Sequence, residues 1–228
     1  MNAQMWVGVR ERVQALAGTP GAVQVFGFHG HGFRLEDPLT PQELAALEER
    51  LGVRLPEDYR AFLLHVGAGG AGPAYGVFPV QRGEDGEWEW DGDGGDMASL
   101  DRMTELFPVD RPREEALAAH ESECPDEDDF DDPDAYDAAY EAWDERDPLW
   151  SDDLTVGAIC LCHLGCALRR WLVVSGPDRG RMWDDRRADG IDLQPMSNAD
   201  GSPMTFADWY LTWLEEAERQ ARDTVATH

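Results

Sequence analysis

The sequence predicts an α+β fold, a mostly antiparallel mixed sheet flanked by helices. Three observations carry that expectation. Apolar residues recur at helical spacing near both ends, at Trp6, Val9, Val13 and Leu16 and again from Phe206 to Ala217. Short runs of β-branched and aromatic residues form two groups, one before residue 91 and one between residues 154 and 184. Helices and strands do not alternate one for one, as a parallel βαβ sheet would require.

Taken in order, the first helix stops at Gly18 and Pro20, and residues 23–28 read as a strand. His29 and His31 would then share a strand face as a hydrogen-bonded surface pair. Thr40, Pro41 and Glu43 form a capping box that opens a helix burying Leu44, Leu47 and Leu51, with Gly52 as its stop. Pro56 begins a second helix whose inner face is Tyr59, Phe62, Leu63 and Val66, and Gly67 ends it. Residues 75–80 read as a strand. Residues 87–90 alternate acid with aromatic, as a half-exposed strand does. Leu100, Met103 and Leu106 suggest one more short helix.

Residues 121–153 differ in composition, with 16 acidic residues against the single Arg146, and read as a solvated acidic insertion. Within it Tyr136, Tyr140 and Trp143 stand at i, i+4 and i+7, on one face of an acidic helix. Residues 154–162, 168–175 and 180–184 then read as three successive strands, the last two joined by the turn at 176–180. Thr205 and Asp208 cap a final helix burying Phe206, Trp209, Tyr210, Trp213, Leu214 and Ala217.

Charge is the outlier in composition. The 228 residues carry 47 acidic groups against 19 basic ones, all arginine, for a net charge of −28. Such a surface repels nucleic acid phosphate and anionic lipid and steers cationic partners towards it, so neither direct nucleic acid binding nor membrane binding is expected. Solubility alone would also account for the acidity. No secretory signal is read in residues 1–18. The longest nearly uncharged run, residues 154–168, falls short of the about 20 residues that span a bilayer. Four cysteines, three of them within residues 160–166, do not form a spaced disulfide framework and suit a reducing compartment, which predicts a cytoplasmic protein.

Several motifs resemble chemistry without its context. The glycines from Gly67 to Gly72 match G-x-G-x-x-G, yet a helix precedes them and a strand follows, the reverse of a dinucleotide site. Cys160, Cys162, His163 and Cys166 offer soft ligands, but on a regular strand Cys160 and Cys162 face one side and His163 the other. No second ligand pair completes a tetrahedral zinc site, so packed thiols are the favoured reading. The run from Asp91 to Asp96 starts like a calcium loop, but Arg102 stands where a bidentate Glu is required. No catalytic, cofactor or metal residues are assigned, and no cofactor is expected.

The ordered string of segments resembles the SUKH superfamily, which groups fungal cell-wall regulators of the Smi/Knr type with bacterial toxin-immunity proteins. The resemblance rests on the helix pair from Leu44 to Leu63 around Gly52 and Pro56, and on Val66 to Pro73 with Tyr75 to Pro79. It continues through His163, Gly165 and Cys166, Trp171 to Trp183, and Thr205 to Leu214. It reaches from about Trp6 to Glu216 and leaves residues 121–153 outside the shared pattern. It implies one domain over residues 1–228 and a binding scaffold with no shared catalytic residues.

Function follows as an expectation from that resemblance: a non-enzymatic protein-binding domain, foremost an immunity protein that blocks a basic, nuclease-type toxin domain. A regulatory or scaffolding module is the alternative. A metal- or thiol-dependent enzyme built on Cys160, Cys162, His163 and Cys166 is the third reading. The residues expected to engage the partner are those where acids and rings coincide. They are Trp88 and Trp90, the carboxylates Asp126, Glu127, Asp128, Asp129, Asp131 and Asp132, and the rings Tyr136, Tyr140 and Trp143.

Overall fold

In the computed structural model, residues 2–109 and 114–223 are described. The opening period becomes a 3-10 turn, Asn2–Trp6, and helix α1, Val9–Leu16, whose Val9, Val13 and Leu16 are buried. Helix α3, Pro41–Leu51, carries the expected capping box: Glu43 N–H donates to Thr40 Oγ1, and Thr40 N–H donates back to the Glu43 carboxylate at 2.8 Å. Helix α4, Glu57–His65, begins after Pro56 and buries Tyr59, Phe62 and Leu63. The closing helix α7, Phe206–Asp223, is capped by Thr205 and Asp208 as expected. Its Phe206 and Tyr210 meet Phe62 at 5.1 and 4.8 Å between ring centroids, and Trp6 closes the cluster from the N-terminus. Helix–helix packing is thus built on edge-to-face aromatic contacts.

Four antiparallel strands make the main sheet in the order β3-β4-β5-β6: Ala158–Gly165, Leu168–Val173, Met182–Arg186 and Ile191–Pro195. A separate hairpin pairs β1, Val80–Arg82, with β2, Trp88–Trp90. The chain leading into β1 is tied to the main sheet where Phe78 N–H donates to the Leu161 carbonyl. With helices on the flanks, the α+β expectation holds.

Two expected strands do not form. Residues 23–28 fold as a 3-10 turn, Ala22–Gln24, and part of a one-turn helix α2, Phe28–His31. Local bonds such as Gln24 N–H to Gly21 O satisfy this backbone, and Gly27, at φ 85°, turns it where any Cβ would strike the Ala74 carbonyl. His29 and His31 therefore sit on a helical turn. Of residues 75–80 only Val80 enters a strand, β1, because Tyr75 lies in a turn, Gly76 has φ 111°, Pro79 has no N–H, and Val77 makes only an isolated bridge to Gly70. Residues 100–106 supply one 3-10 turn, Leu100–Arg102, and strand β6 was not anticipated.

The glycine-rich run after α4 serves close packing. A Cβ on Gly69 would lie 2.5 Å from Pro79 Cα, and one on Gly70 would lie 2.6 Å from the Arg34 carbonyl. Only glycine lets three backbone segments approach this closely. Among the described residues, no helix is long and apolar enough to cross a membrane.

Candidate functional site

The residues expected to engage a partner separate into two groups in space. Trp88 and Trp90 lie in the core at 4% and 3% exposure, so they are not exposed anchors. The reason is the alternation itself: on β2 both rings point inward and Glu89 points out. Trp90 Nε1–H donates to Tyr59 Oη at 2.8 Å, and the Arg82 guanidinium covers Trp88 at 4.1 Å.

The acidic segment does bring its residues together. Helix α5, Glu114–Ser122, is followed by a 3-10 turn, Glu127–Asp129, and by helix α6, Pro133–Asp144. Asp126 and Asp132 accept from the Asp128 and Asp134 N–H groups and so cap their own turns. Asp126, Glu127, Asp128, Asp129, Asp131 and Asp132 are all exposed, and among the described residues none of them pairs with an arginine. Tyr136, Tyr140 and Trp143 lie along one face of α6, their centroids 6.0 and 5.2 Å apart.

Two members of this ribbon were missed in the sequence. Phe130 meets Tyr136 at 5.7 Å, and His120 on α5 stacks on Trp143 at 4.4 Å with planes 4° apart. Trp143 Nε1–H also donates to the His120 carbonyl at 2.8 Å, so this ring pins α6 to α5. Tyr140 is exposed and Tyr136 half-buried. The ribbon is a joint at one end and an open surface at the other.

The segment meets the sheet at Leu149 and Trp150. The Arg187 guanidinium donates to the Leu149 carbonyl and lies 4.9 Å from the Trp150 ring centroid. Arg187 in turn pairs with Asp185 at 2.7 Å, both at or below 3% exposure, and Trp171 Nε1–H donates to the same carboxylate. Burial alone would raise the Asp185 carboxyl, but the hydrogen bonds and charge of Arg187, with Trp171, outweigh it and hold the group below its ordinary value.

The cysteine cluster is arranged differently from a regular strand. Cys160 pairs with Trp171 while Cys162 pairs with Arg170, so a β-bulge lies between them and turns the two thiols to opposite faces of the sheet. His163, opposite Arg169, shares the face of Cys160, and Cys166 is exposed beyond the strand. Burial pushes both inner thiols up, Cys162 to about 12, so they are protonated and poor nucleophiles. No group of three or more His, Cys, Asp or Glu suited to a metal occurs among the described residues.

His163 belongs instead to a surface that sequence reasoning did not assemble. Its ring stacks on Tyr75 at 5.6 Å, and its Nε2 lies 3.4 Å from the Asp93 carboxylate, which also receives the nearly buried Arg169 at 2.9 Å. Tyr75, Asp93 and His163 line a groove of about 450 Å³. Its parts come from residues up to 133 positions apart, Gly30 to His163, and no local pattern joins them.

Comparison with known proteins agrees with this architecture. Residues 38–167, more than half of the chain, match the SMI1 / KNR4 family (SUKH-1). The chain belongs to that family. The match includes the α3–α4 helix pair, the hairpin and β3, and it brackets the acidic segment. It is shorter than the span from Trp6 to Glu216 over which the resemblance was drawn. A stretch of 32 residues, 14% of this chain, is 50% identical to the Bacillus subtilis (strain 168) protein described as "Uncharacterized protein YnaB" and covers 22% of that protein. No solved structure matches.

Proposed function

We propose that this SUKH-1 family chain is a toxin-neutralising immunity protein that acts by binding and blocking a cationic toxin domain in the cytoplasm. Family membership supports a protein-binding, immunity-type role. The observation that carries the finer reading is the surface around residues 126–144: six exposed carboxylates unpaired among the described residues, beside the open end of the Tyr136, Tyr140 and Trp143 ribbon. Carboxylates accelerate encounter with a basic cleft in which phosphate would otherwise sit. Exposed ion pairs alone contribute only about 0–1 kcal/mol each, so tight binding needs ring anchors as well.

The acidic segment is, in this reading, an insertion in one domain that spans the chain, adding a partner-specific surface to a family scaffold. Buried, protonated thiols leave the enzyme alternative without a nucleophile at Cys160 or Cys162. The test is capture of partners from the source organism with the full chain, followed by co-expression of each captured protein with and without it. A captured cationic protein that arrests growth alone, and not with this chain, is the expected result. Capture of a harmless cellular protein instead would favour the regulatory or scaffolding alternative and sink the immunity reading.

A further inference from the structure

We propose that the groove beside Tyr75 and His163 holds an arginine side chain of the protein partner. This deepens the reading above and rests on it. Besides Tyr75 and His163, the groove is lined by Arg34, Glu36, Asp91 and Asp93, and it shares Asp91, Gly92 and Asp93 with a second groove of about 530 Å³ that adds Glu89 and Asp96. Asp93 is engaged by Arg169 and His163. Among the described residues, Glu36, Glu89, Asp91 and Asp96 have no ion-pair partner, and Arg34 stands alone against them as a lining cation. The adjoining grooves therefore attract positive charge.

The aromatic side of the groove selects the kind of cation. Tyr75 is 50% exposed and Phe26 60%, and the two rings meet edge to face at 5.3 Å. An exposed lining ring, Tyr75, backed by Phe26 and set beside carboxylates that meet Gln81 but no cation, matches a guanidinium, which is planar, weakly hydrated, stacks on aromatic rings and forks to a carboxylate. An ammonium lacks the planar face, and an apolar side chain would desolvate the carboxylates without pairing them. A second observation points to the same place. His31 lines the floor at 7% exposure, its Nδ1 accepts from Phe33 N–H at 3.0 Å, and its Nε2 is buried with no hydrogen-bond partner. The groove thus borders an unmade hydrogen bond on a ring that Phe33 and Trp213 hold in place.

The full-length protein is titrated by NMR with a capped hexapeptide, Gly-Ser-Arg-Arg-Ser-Gly, and with its citrulline and lysine counterparts. The arginine peptide is expected to shift the amides of Tyr75, Gly76, Asp91 and His163, the lysine peptide to bind more weakly, and the citrulline peptide not to bind. Tyr75→Ala and Asp91→Asn should each weaken arginine binding by about threefold to tenfold, and Tyr75→Phe should retain it. The joint change Asp126→Asn, Asp128→Asn and Asp129→Asn should leave these shifts in place. Shifts confined to residues 126–144, equal binding of the lysine peptide, or no shift at millimolar arginine peptide would each overturn the proposal. Failure here is distinct from failure of the immunity reading. A captured toxin bound at full strength by the Tyr75→Ala, Asp91→Asn variant sinks the groove alone, and peptide binding without any captured toxin sinks the immunity reading alone.

Discussion

The four-stranded sheet and the acidic segment use the same residue types to opposite ends. In the sheet, Arg187, Asp185 and Trp171 form a dry network in which each charge has a partner and each side-chain nitrogen an acceptor. In the segment, sixteen acidic residues surround one exposed arginine, and Trp143 packs on Tyr140 of its own helix and donates to the neighbouring one. A carboxylate inside the sheet specifies geometry, because leaving its partner unpaired in a low dielectric is costly. A carboxylate on the segment that neither caps a turn nor meets an arginine is solvated and replaceable as far as folding goes, which leaves it available for the encounter surface proposed above. The Leu149–Trp150 turn is where the two regimes meet.

The strongest way to break this comparison is to unpair the buried charge. Asp185→Ala leaves Arg187 and Trp171 Nε1 without their acceptor and is expected to destabilise by about 3–5 kcal/mol, read from denaturant unfolding. A loss below about 1 kcal/mol, within the range of an exposed pair, would show that water reaches this pair and that the sheet is no drier than the segment.

Tryptophan gives a matched pair of tests at the next level. Trp90→Ala should cost about 3–5 kcal/mol through the cavity and the lost Tyr59 bond, whereas Trp143→Ala should cost under about 2 kcal/mol because it loosens one helix contact. Equal losses would mean that the acidic segment is part of the core.

Deleting residues 121–148 sharpens the same point at the scale of a whole element. Loop-closure cost changes slowly with length, and Leu149 with Trp150 remains to hold Arg187. The shortened chain should unfold cooperatively on heating, with its midpoint lowered by no more than several degrees. A broad, non-cooperative melt would make the segment structural.

The smallest effect concerns pH. Burial, with help from Arg34, lowers His31 to about 4, so the folded chain keeps this ring neutral while an unfolded one takes up a proton below about 6.5. Its contribution to stability is full above pH 6.5 and is lost as the pH falls towards 4. His31→Gln should flatten the stability profile over that window relative to the parent chain. Parallel profiles would show that the ring is protonated in the fold, and would weaken its place at the groove floor.

Much of this architecture was legible along the chain because its signals are local. The capping box of α3, the Pro56 start of α4, the ring spacing on α6 and the Thr205–Asp208 cap each depend on residues within a turn or two of one another. Alternation at residues 87–90 was equally legible, and followed through it places Trp88 and Trp90 inward; treating them as exposed anchors set aside what the pattern implied.

What tertiary structure alone decided is of a different kind. Whether residues 23–28 become a strand depended on a pairing partner, and the glycine turn against Ala74 left none. The faces of Cys160 and Cys162 depended on a bulge that arises from register with β4, which no property of β3 by itself reveals. The groove joins residues from Gly30 to His163, and the Arg187–Asp185 pair reaches back to Leu149. Local hydrogen bonding and side-chain period are written in neighbouring residues, whereas register, burial of a charge and the convergence of a site are properties of segments that meet only once the chain has folded.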